Sequence, residues 1–134
     1  MEKTFDFLKN KTQVNFVATI DGERPSCRPF GDPVLFDGKI YAMTNAKKKV
    51  AKQIAANNRV CIVAYDGTNW IRINCRLVDD SDNVEAKKAI LSEFKWAEAA
   101  GYTLDNPDFK IFYFAEAEAT IYDEDGNVLI AEKF

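Results

Sequence analysis

The chain has 134 residues, 47% of them hydrophobic, with a net charge of −3, so it is long enough for one domain with a real core and carries no overall charge that would draw it to nucleic acid. It contains no histidine, which removes the usual general base, the Ser-His-Asp and Cys-His arrangements and the commonest nitrogen ligand for a metal. Cys27, Cys61 and Cys75 are widely spaced and odd in number, and no stretch has the length of a membrane span or a signal peptide's apolar run; no metal, no disulfide framework, no membrane and a cytoplasmic location are the expectations.

Residues 3–11 read as a short helix with Phe5, Phe7 and Leu8 as its apolar contacts. Val14 to Ile20 reads as a strand, turned back by Asp21-Gly22. Pro25 to Phe30 is a second extended piece, held out of helix by Pro25 and Pro29, and Pro33 to Phe36 is a third. Asp37-Gly38 is another hairpin signal and leads to a strand from Lys39 to Thr44. A helix then carries Lys47, Lys48 and Lys49 in its first turn, with Asn45 as the expected N-cap and Val50 and Ile54 on the apolar face. It ends near Asn57 or Asn58, and a strand from Val60 to Tyr65 follows.

Beyond the Asp66-Gly67 turn comes the clearest alternation in the chain, from Trp70 to Val78. Ile71, Ile73, Cys75 and Leu77 share one side, and Trp70, Arg72, Asn74 and Arg76 share the other. Asp82 and Glu85 form a capping box for a helix through about Ala97, packed by Val84, Ile90, Leu91 and Phe94 and ended by Ala99-Ala-Gly101. Lys110 to Tyr122 is a long strand on which Phe112 and Phe114 share a face with Glu116 and Glu118. Asp123 to Asn127 turns into a last strand, Val128 to Ala131. Six or seven strands joined by tight turns imply antiparallel pairing and closure into a barrel. Scarce βαβ spacing and the lack of a GxGxxG after a first strand speak against a Rossmann fold.

The lysine run carries the most chemistry. A helix N-terminus is the positive end of the macrodipole, so three lysines there make sense if an anion occupies it, with Thr44 and the exposed backbone N–H groups as further donors. The plainer reading is a solvated charged turn. With Asn45 as the cap, Lys48 is the third helical residue and Lys49 the next. Arg28 suits a phosphate or a ring carbonyl, or else is a rim arginine paired with an acid such as Glu23. Gln53, in the same helix as the lysines, either touches a polar ligand edge or is a surface glutamine. Trp70 and Arg72 stand on the polar side of their strand, where an aromatic caps the barrel, packs in a dimer interface or stacks near a planar ligand.

These stretches, in this order, resemble the FMN-binding split-barrel family, the pyridoxamine 5'-phosphate oxidase-like group. The matching segments are Phe16 to Pro25, Cys27-Arg-Pro-Phe30, Asp37 through Asn45, Val50 to Val60 and Trp70-Ile-Arg-Ile-Asn74. The resemblance implies a mainly β fold with short helices, a six-stranded antiparallel Greek-key split β-barrel forming one domain over 1–134. It implies a homodimer with FMN at the subunit interface. It places Arg28 and Pro29 along the flavin ring and Thr44 and Lys48 at the phosphate, with Lys49 as the alternative; Phe30, Met43 and Asn45 are further cofactor-binding residues, Gln53 adds a polar contact, and Trp70 approaches from the interface side.

The chain departs from the family's pattern in three places. Asn74-Cys75 stands where relatives often have a glycine, and Asn58 where they often have proline. The sequence ends at Phe134 without the long C-terminal substrate-binding segment of true pyridoxamine phosphate oxidases, so vitamin B6 oxidation is not expected. The function implied is an FMN-dependent oxidoreductase acting on an unidentified small molecule. The alternative is a non-catalytic flavin- or small-ligand-binding protein.

Overall fold

A computed structural model describes residues Met1–Phe134. The chain opens with α1 (Glu2–Asp6), which runs into one π-helical turn at Phe7–Lys11 and buries Thr4, Phe7 and Leu8. Eight strands follow: β1 (Asn15–Asp21), β2 (Arg24–Phe30), β3 (Val34–Phe36), β4 (Lys39–Asn45), β5 (Arg59–Tyr65), β6 (Trp70–Asp79), β7 (Phe109–Tyr122) and β8 (Val128–Lys133). Two helices interrupt them, α2 (Lys49–Ala56) between β4 and β5, and α3 (Val84–Glu93) between β6 and β7. All strand pairs are antiparallel, in the order β2-β1-β5-β6-β7-β4-β3, with β8 added on β7. The sheet is not closed: this is a split barrel, with two more strands than the six expected.

The hairpin signals work as their chemistry dictates. Asp37 and Gly38 both take positive φ, 49° and 71°, the two left-handed positions of a tight two-residue turn between β3 and β4. Asp66 accepts at its Oδ1 from the backbone N–H groups of Thr68 and Asn69, at 2.8 and 2.7 Å, closing the β5–β6 turn. Pro25 and Pro29 are tolerated because β2 is an edge strand, paired only with β1.

The alternation of β6 is real: Ile71, Ile73, Cys75 and Leu77 are all buried in the barrel interior with Val17, Ile40, Ile62 and Phe112. Burial pushes the Cys75 thiol up to about 12. On β7 the expected face assignment fails. Glu116 takes φ 49°, and the register moves two residues along β6, from Asn74 to Arg76, while moving three along β7, from Glu118 back to Ala115. This β-bulge reverses the facing of the strand. Phe112 and Phe114 therefore share the interior with Ala117, Ala119 and Ile121, while Glu116 and Glu118 face water. The bulge also lets one strand serve two neighbours, β4 before it and β8 after it.

A second, smaller core lies under α3, where Ala86 and Ile90 meet Tyr41, Met43, Phe94, Phe109 and Ile111. The α3 cap is Asn83 rather than Asp82: its side chain accepts from the Ala86 N–H at 3.0 Å. That shift of one residue puts Ala86, Lys87 and Ile90 inside and leaves Val84 exposed. The helix ends at Glu93, and residues 94–108 are an irregular segment. Tyr41 donates to Asp80 at 2.8 Å, and burial, then this carboxylate, raise its pKa. No helix is long and apolar enough to cross a membrane.

Candidate functional site: a cavity between β2, β4 and the start of α2

The lysine helix begins later than its sequence suggests. Asn45 pairs with Phe109 as the last residue of β4, and this ladder holds it in the strand. It therefore does not cap α2. Its side chain accepts from the Lys47 N–H at 2.9 Å, and its carbonyl from the Lys48 N–H at 3.0 Å, which makes a turn. Lys48, extended at φ −73° and ψ 148°, is the N-cap, and Lys49 is the first helical residue. An ammonium side chain cannot accept a hydrogen bond, so the first N–H groups of α2 have no side-chain cap.

Beside this helix start is a cavity of about 200 Å³. Arg28, Pro29, Phe30 and Asp32 border it from β2 and the loop beyond, Met43 and Thr44 from β4, and Lys48 and Val50 from the start of α2. Phe94, Trp96 and Tyr102 close it from the segment after α3. Thr44 is only 4% exposed as a residue. Its hydroxyl has no hydrogen-bond partner within the chain and is not itself sealed off, so it stays open toward the cavity. A hydroxyl open to a cavity and unused by the chain is free to bond whatever occupies it. Lys47 is paired with Asp108 at 3.5 Å; Lys48 makes no ion pair.

Arg28 is not the rim arginine that Glu23 would neutralise. Its side chain lies on the inner side of the β1–β2 hairpin, among neutral acceptors. Nη1 donates to Thr19 Oγ1 at 2.7 Å and to the Val17 carbonyl at 3.3 Å. Nη2 donates to Ser26 Oγ at 2.6 Å and to Gln53 Oε1 at 2.8 Å. Gln53 thus reaches the site through Arg28 and does not border the cavity itself.

The structure brings together Arg28, Pro29, Phe30, Met43, Thr44 and Lys48. Asn45 shapes the turn, and Lys49 is exposed and outside the cavity wall. Trp70 lies three strands away from β2, stacked on Tyr122 at 4.4 Å with the Arg72 guanidinium 4.9 Å from its ring. Within one chain it cannot contribute to the cavity. Asn74 and Cys75 are likewise remote from it and border a groove with Arg59 and Glu118.

Sequence reasoning missed the aromatic wall of Phe94, Trp96 and Tyr102. The three rings pack in series, 5.9 Å and then 6.2 Å between centroids, in a segment without periodicity. Two of them fall within a stretch expected to be helical, and their only signal was aromatic density next to Gly101. A larger groove of about 580 Å³ runs between α2 and the β6–β7 pair, over Ile54, Leu77 and Phe112. Its cations Arg76 and Lys110 face Glu116 and Asp79, while Lys52, on the exposed side of α2, makes no ion pair. What distinguishes the smaller cavity is that Thr44, Lys48 and the uncapped start of α2 border it together.

Known proteins agree with this architecture. The family model described as pyridoxamine 5'-phosphate oxidase matches residues 1–121. The chain belongs to the pyridoxamine 5'-phosphate oxidase-like family. Among solved structures it is similar to a NimC/NimA family protein from Clostridium acetobutylicum, with 28% identity and a TM-score of 0.88 over 98% of this chain and 93% of that one. A protein related to general stress protein 26, of the pyridoxinephosphate oxidase family and from the same organism, shares the fold at 18% identity, with a TM-score of 0.67 over 100% of this chain and 95% of that one. So does a heme binding protein from Mycobacterium smegmatis, at 16% identity and a TM-score of 0.70 over 96% of this chain and 56% of that one. No curated protein matches the sequence. Family members are commonly dimeric.

Proposed function

We propose that this family member binds FMN in the cavity and acts as an FMN-dependent oxidoreductase on a small molecule. In this reading the phosphate sits at Thr44 and Lys48, and the ring lies toward Arg28, Pro29 and Phe30. One observation carries the reading: Thr44, whose hydroxyl has no partner in the chain, Lys48, which makes no ion pair, and the uncapped start of α2 border one cavity. A doubly charged phosphate uses all three. Bound flavin would supply the redox chemistry. The chain supplies position and electrostatics: Lys48 offers charge, Thr44 donates its proton into a hydrogen bond, and Arg28 holds positive charge where the reduced ring carries negative charge. Phe30, Phe94 and Trp96 keep water from one side.

The site is incomplete in one chain. Its 200 Å³ falls short of the roughly 300–1,000 Å³ of small-molecule pockets. The second surface we assign to another copy of the chain. The outer side of the sheet leaves Phe16 43% and Ile20 39% exposed on β1, separated by β5 from the strand that carries Trp70, and these apolar side chains suit self-association. Trp70 then reaches the flavin only from the partner.

The visible absorption spectrum of the purified protein, followed by titration with FMN, tests the reading. Flavin absorbance, or stoichiometric uptake of added FMN, supports it; a colourless protein that ignores FMN contradicts it. The aromatic wall favours a second reading, a flavin or small-ligand binder without turnover, because rings covering the ligand would bar a substrate. Steady-state oxidation of a nicotinamide cofactor by FMN-loaded protein decides for the enzyme. Reduced flavin that passes electrons to no acceptor decides for the binder.

A further inference from the structure

An arginine side chain has five N–H donors: one on Nε and two on each Nη. In this chain all four Nη hydrogens are assigned partners inside the protein: Thr19 Oγ1, the Val17 carbonyl, Ser26 Oγ and Gln53 Oε1. Every one of these acceptors is neutral. The guanidinium is therefore fixed in place while its charge remains uncompensated.

The holders are themselves fixed. Thr19 is 2% exposed and donates its own proton to Gln53 Oε1 at 2.5 Å. Thr19 and Ser26 face each other across the β1–β2 ladder, as Val17 and Arg28 do. The Gln53 amide can stand only one way round, because an oxygen and not an NH₂ must face a guanidinium. Gln53 comes from α2, the helix whose N-cap is Lys48, so the clamp ties the hairpin to the helix.

We propose that Thr19, Ser26 and Gln53 are positioning residues that clamp Arg28 as a fixed one-donor positive charge, with Thr19 as the keystone. A clamped Arg28 cannot form the two-pronged Nη contact by which a free arginine grips phosphate. It keeps its Nε–H and its charge, which suit a single ring-edge oxygen. Phosphate then falls to Lys48 and Thr44. Charge fixed in advance needs no reorganisation when a ligand gains negative charge, so the clamp favours reduced over oxidised FMN. This rests on the FMN reading above, but the clamp can be judged without flavin.

The test compares the wild-type chain with Thr19→Val, which keeps the shape and removes the hydroxyl, and with Thr19→Ser, which restores it. In flavin-free protein, the Arg28 Nη–H signals in ¹⁵N NMR should be resolved in the wild type and T19S and lost to rotation in T19V. In FMN-loaded protein, T19V should bind reduced FMN about tenfold more weakly relative to oxidised FMN, a shift of the two-electron midpoint potential by about 30 mV to the negative. T19S should stay at the wild-type value. Resolved Nη–H signals in a folded T19V, or an unchanged potential, would overturn the clamp. If T19V does not fold, Gln53→Leu, on the helix side of the network, takes its place with the same expected loss of Nη–H signals. Wild-type protein that takes up no FMN would sink the flavin reading alone and leave the Nη–H signals to decide the clamp.

Discussion

Two polar nodes in this molecule are built from similar parts and end differently. At the α1–β8 contact, Glu132 accepts from the Met1 ammonium at 2.8 Å, from the Thr4 N–H and hydroxyl at 2.7 Å each, and from the Lys3 N–H at 3.4 Å. Every group there has a partner within the chain, and these donors outweigh burial to hold the Glu132 carboxyl at about 2. At the start of α2, Thr44, Lys48 and the first helical N–H groups have none. Both nodes join a helix N-terminus to a strand. The first supplies its own anion, and the second lacks one. A node that closes on itself serves stability; a node with donors left over is shaped for something that arrives from outside.

Separating stability from binding would sharpen or break this contrast. Glu132→Ala should have the largest effect, a loss of about 3 kcal/mol in urea unfolding, because it strands several donors at once. Its FMN affinity, measured on the folded protein, should not change. The same node sets an acid dependence. The Glu132 pKa lies below its ordinary 4.5 when folded, so its contribution is full above about pH 5 and fades as pH falls toward 2. Glu132→Gln should flatten unfolding curves across that window, and an unchanged acid limb would count against the closed node.

Lys48→Ala should do the reverse: weaken FMN by about 2 kcal/mol, roughly thirtyfold, with thermal stability unchanged. Lys49→Ala, one residue on, should leave affinity within about twofold. Equal losses for the two lysines would put the phosphate elsewhere. Thr44→Val should cost about 1 kcal/mol of binding with no loss of stability, since the hydroxyl it removes has no partner in the chain. A marked fall in melting temperature would show that Thr44 belongs to the closed kind of node.

The smallest effect belongs to Lys87, which is 7% exposed with its Nζ 4.9 Å from the Phe109 ring centroid. Burial lowers its pKa below 10.5, so its charged form works against folding at neutral pH, and stability should rise as pH climbs toward that value. Lys87→Met keeps the apolar stem and should change unfolding free energy by less than about 1 kcal/mol, with that alkaline rise removed.

Local chemistry made much of the fold legible. The Asp-Gly turns, the edge prolines and the alternation from Trp70 to Val78 each state a backbone geometry in a few residues. Long-range pairing hid the rest. Nothing local in Ala115-Glu116 announces a bulge; it exists because β7 must serve β4 and β8 on one side of β6. Asn45 has the chemistry of a cap, but its pairing with Phe109 holds it in the strand, and the helix starts at the lysines instead. Arg28, Thr44 and Lys48 were readable as candidates because each is chemically suited to an anion. Gln53 stayed open between a ligand contact and a surface glutamine, because its partners Thr19 and Arg28 are distant in sequence. Phe94 was legible as a packing residue of α3, but Trp96 and Tyr102, which complete the aromatic wall, left no periodic trace.

Comparison of FMN with riboflavin, the same ring system without the phosphate, tests the central claim most directly, by fluorescence titration of the flavin-free protein. Donors left over at Thr44, Lys48 and the start of α2 predict that FMN binds far more tightly than riboflavin, and that a Thr44→Val, Lys48→Ala double variant loses most of the difference. Equal affinities for the two flavins in the wild-type protein would contradict it.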